Sequence, residues 1–207
     1  MIHETKIMQK TTTIEMNRLS VEEFREAKKI PLIVVLDDVR SLYNVGSVFR
    51  TSDAFRVEAI YLCGITATPD DVVAGDEVVK ACSLKAAQEI HKTALGAENS
   101  VAWRYFSDAK EAVNALHADG YRVMAIEQCH GSTMLEDFQV GNLPLAVVFG
   151  NEVKGVHQEV VDMCDGCLEI PQYGTKHSLN VSVTAGIVIH YISFLLKNYG
   201  IKELAGA

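Results

Sequence analysis

Ile170-Pro-Gln-Tyr-Gly-Thr-Lys-His-Ser-Leu-Asn-Val-Ser-Val183 takes a short apolar strand through a polar turn directly into an apolar helix. Two other segments have the same grammar: Asn44-Val-Gly-Ser-Val-Phe-Arg-Thr51 follows one apolar run and Phe149-Gly-Asn-Glu-Val-Lys-Gly-Val156 ends another. In an open parallel sheet the loops at the carboxyl ends of the strands share one edge. Three such loops are therefore expected to meet at one crevice, which is read as the active site.

Apolar, β-branched runs at Leu32 to Leu36, Ala59 to Cys63, Arg122 to Ile126, Leu145 to Phe149 and Gly166 to Ile170 read as buried strands, with a weaker one near Val101 to Phe106. Helical patterns lie between them at Val21 to Lys28, Gly46 to Phe55, Leu84 to Ile90, Asp108 to Ala118 and Gly155 to Met163. The alternation predicts an α/β fold, a mostly parallel sheet flanked by helices. Thr66 to Glu77, with Pro69, Asp70, Asp71, Gly75, Asp76 and Glu77, reads as a mobile polar loop inserted after the second strand.

The chain has 207 residues, of which 48% are apolar and 22% charged, with no Pro-, Gly- or Ser-rich linker. It reads as a single domain over 1–207 with an N-terminal helical extension over 1–30. The polar N-terminus lacks the apolar core of a signal peptide, and five cysteines, an odd number, suit a reducing compartment, so a cytoplasmic location is expected. Cys164-Asp-Gly-Cys167 reads as two inert reduced thiols, because neither a second pair nor a His pair completes a zinc set.

The most apolar stretch, Val181 to Leu196, is shorter than the roughly 20 residues a membrane span needs and is interrupted by Ser182, Thr184, Gly186, His190 and Ser193. As part of a helix from about Ser178 to Tyr199 it is apolar on more than one face and must be covered twice. A partner subunit is the simplest second cover, which predicts a homodimer.

A net charge of −8 argues against gripping nucleic acid by bulk electrostatics. Residues 1–60 nevertheless hold nine basic and nine acidic side chains, leaving ten basic and eighteen acidic for the other 147. The N-terminal third is thus the plausible phosphate-facing region.

Within the first loop, Asn44 is placed to cap a helix starting near Gly46, and Arg50 falls opposite the stripe Val45, Val48, Ser52 and Phe55. Glu152 sits near the next helix start, where a carboxylate also suits the dipole. Ser178 is a good N-cap beside Asn180, with Gly174 giving the turn. Capping alone does not need Thr175, Lys176, His177, Ser178 and Asn180 together, so a ligand is an equal reading there. No Gly-x-Ser-x-Gly elbow, Gly-x-x-x-x-Gly-Lys-Ser/Thr loop, or Gly-x-Gly-x-x-Gly turn is present, and the seven histidines are scattered. Metal-free group transfer fits what remains.

The three segments, in order and spacing, resemble the three motifs of the SpoU (TrmH) family of RNA ribose 2′-O-methyltransferases, of the α/β-knot class. The likeness spans about Leu32 to Leu196. It implies a C-terminal deep trefoil knot and a dimer through the knot helices. It also implies S-adenosyl-L-methionine as cofactor and RNA as substrate; the compactness of the chain, rather than the likeness, makes tRNA the expected substrate in preference to rRNA. Asn44, Arg50, Glu152, Ser178 and Asn180 fall on the family's catalytic or near-catalytic positions. Glu127, Gln128, Gly150, Ile170 and Leu179 fall where the cofactor is held. The sequence departs from common family versions in lacking a separate N-terminal RNA-binding domain, in Gln172 and Thr184, and in the acidic insertion. A catalytically silent knot protein that binds RNA is the alternative, and a nicotinamide-using Rossmann enzyme lacks its glycine fingerprint.

Overall fold

In the computed structural model of the chain, which describes residues 9–12, 15–141 and 144–198, the apolar runs form one parallel sheet. Its strands are β1 (Ile30–Asp37), β2 (Val57–Cys63), β5 (Ala102–Phe106), β6 (Arg122–Ile126), β7 (Thr133–Met134), β8 (Leu145–Phe149) and β9 (Gly166–Glu169). They lie in the order β5-β2-β1-β8-β6-β9-β7, and every adjacent pair is parallel. A separate antiparallel pair, β3 (Val72–Ala74) with β4 (Glu77–Lys80), stands apart. The helices are α1 (Val21–Glu26), α2 (Leu42–Ala54), α3 (Leu84–Ala94), α4 (Ala97–Ser100), α5 (Ala109–Ala118), α6 (Gln158–Val161) and α7 (Val181–Asn198).

Side chains of a strand alternate between the two faces of its sheet. On β1, Leu32, Val34 and Leu36 join a core with Val48, Phe49, Ile60, Val147, Val188 and Ile192, under α2, α3 and α7. Ile33 and Val35 face the other way, into a core with Ala112, Val113, Leu116, Ala146, Val148 and Val160, under α5 and α6. Both faces are covered, which is why the central strands read as unbroken apolar runs.

Four expectations need correction. The Thr66 to Glu77 segment is not simply a loop: its second half enters the β3–β4 hairpin, and Thr66 is buried, its hydroxyl donating to Leu36 O and accepting from Val39 N. The first-loop helix starts four residues before Gly46, capped by Ser41, which accepts from Asn44 N. The helix expected from Gly155 is only the single turn of α6, because Gly155 takes a left-handed φ of 70° to close a tight turn. The last helix starts at Val181 rather than Ser178.

The termini give less to compare. Residues 1–8 and 13–14 of the expected N-terminal extension, and Tyr199, to which the last helix was expected to run, lie outside the described residues. Within that extension α1 is present, held by a reciprocal capping box between Ser20 and Glu23. Among the described residues no helix is long and apolar enough to cross a membrane.

Candidate active site

Because all seven strands run the same way, the segments leaving β1, β6, β8 and β9 emerge at one edge of the sheet. Each is fastened to another by side chains. After β8, Asn151 and Gly155 exchange backbone hydrogen bonds of 3.0 and 2.8 Å, closing the turn that carries Glu152. The Asn151 side chain accepts from Val153 N and Lys154 N and donates to Asp38 O at 2.7 Å, tying this turn to the end of β1. Gly150 permits the closure: a Cβ there would sit 2.0 Å from the Gly155 carbonyl carbon.

Glu152 reaches across to the start of α2. Its Oε2 accepts from Arg40 N at 3.0 Å, and its Oε1 accepts from Ser41 N and from Asn44 Nδ2, both at 2.9 Å. The carboxylate thus occupies free donors at a helix amino end, where the dipole also favours negative charge. Burial alone would raise its pKa, but the hydrogen bonds from Arg40, Ser41 and Asn44 outweigh it and hold the carboxyl below the ordinary glutamate value. The helix that Glu152 serves is α2, not the one that follows it in sequence.

Asn44 is buried and uses both ends of its amide: Nδ2 donates to Glu152, and Oδ1 accepts from Asn180 Nδ2 at 3.2 Å. Asn180 in turn caps α7, its Oδ1 accepting from Ser182 N at 2.8 Å and Ser182 Oγ at 2.6 Å. Asn180, not Ser178, is the cap, and Asn44 is a bridge rather than a cap. The loop before α7 makes its bend without a left-handed φ at Gly174. One continuous chain, Asn180–Asn44–Glu152, therefore joins the three segments that the sequence singled out.

Between these segments lies a cavity of about 720 Å³, within the size range of small-molecule sites. Glu127, Gln128, Gly150, Ile170 and Leu179 all line it, as do Glu152, Ser178 and Asn180. Its wall after β6 is braced twice: Glu127 Oε2 accepts from Val156 N at 3.1 Å, and Gln128 Nε2 donates to His177 O at 2.6 Å. Ile126, Phe149, Ile170, Leu179 and Val181 give it apolar surface, and the three acidic residues Glu127, Glu152 and Glu169 outnumber the one lysine, Lys154. Such a lining suits a ligand with a flat apolar part and positive charge.

Arg50 is not in this cavity. It stands exposed on α2, opposite the buried Val45, Val48 and Ser52, and makes no hydrogen bond or ion pair among the described residues. Two groupings were not legible beforehand. Asn151 is the staple of the second loop, and Asp37 at the end of β1 pairs with His157, whose Nδ1 lies 3.0 Å from Asp37 Oδ2. Asp38 joins them, with one oxygen 3.7 Å from His157 Nε2. Burial raises the Asp37 pKa, and the hydrogen bonds from His157 oppose that rise.

The sequence over residues 31–190 matches the model of the SpoU rRNA Methylase family. The chain belongs to the SpoU family.

A relative of this SpoU chain is the 23S rRNA (guanosine-2′-O-)-methyltransferase RlmB of Neisseria meningitidis serogroup B, 30% identical over 176 residues, 84% of this chain and 62% of that protein. The chain spans 62% to 64% of the length of the curated relatives it matches first. The TrmH/SpoU tRNA modifying enzyme of A. aeolicus superposes with a TM-score of 0.69 at 24% identity, covering 88% of this chain and 85% of that one. An AdoMet-bound rRNA methyltransferase from Sinorhizobium meliloti gives 0.66 at 22% identity, covering 86% and 60%. These two share the SpoU fold, a mostly parallel sheet flanked by helices.

Proposed function

We propose that this SpoU family protein transfers a methyl group from S-adenosyl-L-methionine to a ribose 2′-hydroxyl of RNA, with tRNA as the substrate. The observation that carries the reading is the Asn180–Asn44–Glu152 chain at the rim of a cavity lined by Glu127, Gly150, Ile170 and Leu179. The support for a ribose hydroxyl is the guanosine-2′-O-methyltransferase among the relatives, and for tRNA the tRNA modifying enzyme among the structural neighbours.

The residues present fit the cofactor. The apolar patches of Ile170, Leu179 and Val181 suit a purine, and the nearby carboxylates of Glu127 and Glu169 suit positive charge. When bound, the cofactor supplies an electrophilic methyl on a sulfonium that leaves as a neutral thioether. The protein's task is then to align the hydroxyl and manage its proton.

A guanidinium is not a general base in proteins, so another role is assigned to Arg50. Its role is to clamp the phosphate beside the reacting sugar and stabilise developing alkoxide charge, leaving the proton to phosphate or water. Asn44 and Asn180 fix the rim, Glu152 holds Asn44 and the start of α2, and Ser178 shapes the cavity mouth.

The same family reading gives the chain a single methyltransferase domain, a trefoil knot at its C-terminal end and a homodimer with α7 in the seam. Val183, Ile187 and Phe194, 50%, 40% and 55% exposed, supply the apolar stripe for that seam. Being outside the cavity, Arg50 meets the reaction through bound RNA or from a second subunit. A cytoplasmic location goes with an RNA substrate.

The test is incubation of the pure protein with labelled S-adenosyl-L-methionine and, separately, tRNA and ribosomal RNA, followed by mapping of alkali-resistant riboses. Label at a 2′-O position of tRNA is the expected result. Label in ribosomal RNA only would move the substrate. Tight RNA binding without label or cofactor binding would support a silent RNA-binding protein instead.

A further inference from the structure

The two cysteines in motif spacing do not pair with each other. Cys164 Sγ, in the bend after α6, donates to Val160 O at 3.2 Å. Cys167, on β9, lies with its Sγ 3.1 Å from the Sγ of Cys129, which follows β6. The sheet creates this meeting: β6 and β9 are neighbours with Ala125 opposite Cys167, and Glu127 N donates to Leu168 O at 3.1 Å. Cys167 Sγ also approaches Glu127 O at 3.1 Å. Two sulfurs at this separation need move only about 1 Å to reach the bond length of a disulfide, about 2.05 Å. Cys129 lines the ligand cavity, while Cys167 sits partly buried behind it.

We propose that Cys129 and Cys167 are a redox modification site, forming a reversible disulfide in the wall of the ligand cavity when a peroxide is present. Cys129, on the cavity side, attacks one peroxide oxygen through its thiolate. The O–O bond breaks, Cys129 becomes a sulfenic acid, and with hydrogen peroxide the second oxygen leaves as water. The Cys167 sulfur then attacks the sulfenic sulfur. The S–S bond forms, the S–O bond breaks, and hydroxide leaves as a second water with the Cys167 proton. Two electrons have passed from two thiols to the peroxide, and a dithiol returns them by exchange. Cys129 lines the cavity and Cys167 does not, so Cys129 is the sulfur a peroxide meets first and Cys167 the one that resolves it.

Closure would draw Cys129 toward β9 and shift the adjoining Glu127 and Gln128, which brace the cavity through Val156 N and His177 O. Oxidation is therefore expected to weaken ligand binding. That consequence rests on the methyl-donor reading, whereas the bond itself does not.

The experiment treats the full chain with a small excess of hydrogen peroxide, alkylates remaining thiols in denaturant and maps peptides by mass. The expected product is a Cys129–Cys167 cross-linked pair, absent from Cys129→Ser and Cys167→Ser, present in Cys164→Ser, and lost on adding dithiothreitol. Free alkylated Cys129 and Cys167, a Cys164–Cys167 link, or Cys129 oxidised beyond the sulfenic acid without a link would each overturn the proposal. Calorimetry with S-adenosyl-L-methionine is then run on reduced and oxidised protein, with a loss of at least about fivefold in affinity expected on oxidation and recovered on reduction. Equal affinities would remove the regulatory consequence. No binding by the reduced protein would instead refute the cofactor reading and leave the disulfide standing.

Discussion

The side-chain amide of Asn180 donates to the side-chain oxygen of Asn44 at 3.2 Å, across 136 residues of sequence. Because the other end of the Asn44 amide is bonded to Glu152, one buried residue holds three segments in register.

Asn44→Ala should lose both bonds, leaving Glu152 with its two backbone donors from Arg40 and Ser41 and Asn180 with its cap on α7 alone. A stability loss of about 1–3 kcal/mol is expected for a buried, doubly bonded amide. Denaturant melts of Asn44→Ala, Asn180→Ala and the double variant should show non-additive losses. Strict additivity would mean that the bridge carries no energy.

Arg50→Ala removes an exposed side chain that makes no hydrogen bond or ion pair among the described residues, so stability should stay within about 0.5 kcal/mol of the parent. Methyl transfer should fall by roughly 100-fold or more, with the cofactor's dissociation constant within a few fold. Arg50→Lys should recover only part of the rate, since an ammonium cannot grip a phosphate with two parallel N–H groups. Unchanged turnover in Arg50→Ala would end its assigned role.

Gly150→Ala would drive a methyl group to 2.0 Å from the Gly155 carbonyl carbon. Backbone cannot yield as a side chain can, so a cost of at least about 1–3 kcal/mol is expected. Ligand affinity should fall with it, because Gly150 and Gly155 both line the cavity. Thermal melting and calorimetry on the same preparation measure the two effects, and a normal melting temperature would show that the turn can reopen without penalty.

The Glu152 carboxyl titrates below the 4.5 of an ordinary glutamate despite its partial burial, because Arg40, Ser41 and Asn44 donate to it. A depressed folded pKa stabilises the fold above the unfolded value, and the benefit is lost as pH falls through the folded one. Melting temperatures from pH 6 to pH 3 should therefore drop more steeply for the parent than for Glu152→Gln. The two curves should converge at the acid end, and parallel curves would exclude Glu152 as the titrating group.

Phe194→Glu, and likewise Val183→Glu, places a charge on the exposed stripe of α7. If that stripe is a subunit seam, sedimentation should show a dimer for the parent and a monomer for the variants at the same concentration. A parent that sediments as a monomer would refute the dimer outright.

The strands of the large sheet were legible because central parallel strands are buried on both faces, as Leu32 to Leu36 and Leu145 to Phe149 are. The β3–β4 hairpin was not, since Val72–Ala74 and Glu77–Lys80 are short and embedded in acidic turn residues. The two-residue β7 is shorter still. Helix starts were misplaced wherever several capping residues stood close together: Ser41 caps where Asn44 was expected, and Asn180 where Ser178 was. Local sequence does not say which of two good caps tertiary contacts have already claimed. The cavity residues could be read through motif likeness, but the Asp37–His157 pair and the Cys129–Cys167 approach could not, because sheet order alone makes those residues neighbours.

The capping of α2 by Glu152 also bears on synthesis. Arg40 and Glu152 are separated by 112 positions, so at about 5–20 residues per second the amino end of α2 waits on the order of ten seconds on the ribosome for its carboxylate. A nascent chain has the scaffold of the pocket well before it has the pocket, and ligand binding waits until the lining residues from Glu152 to Thr184 have been made.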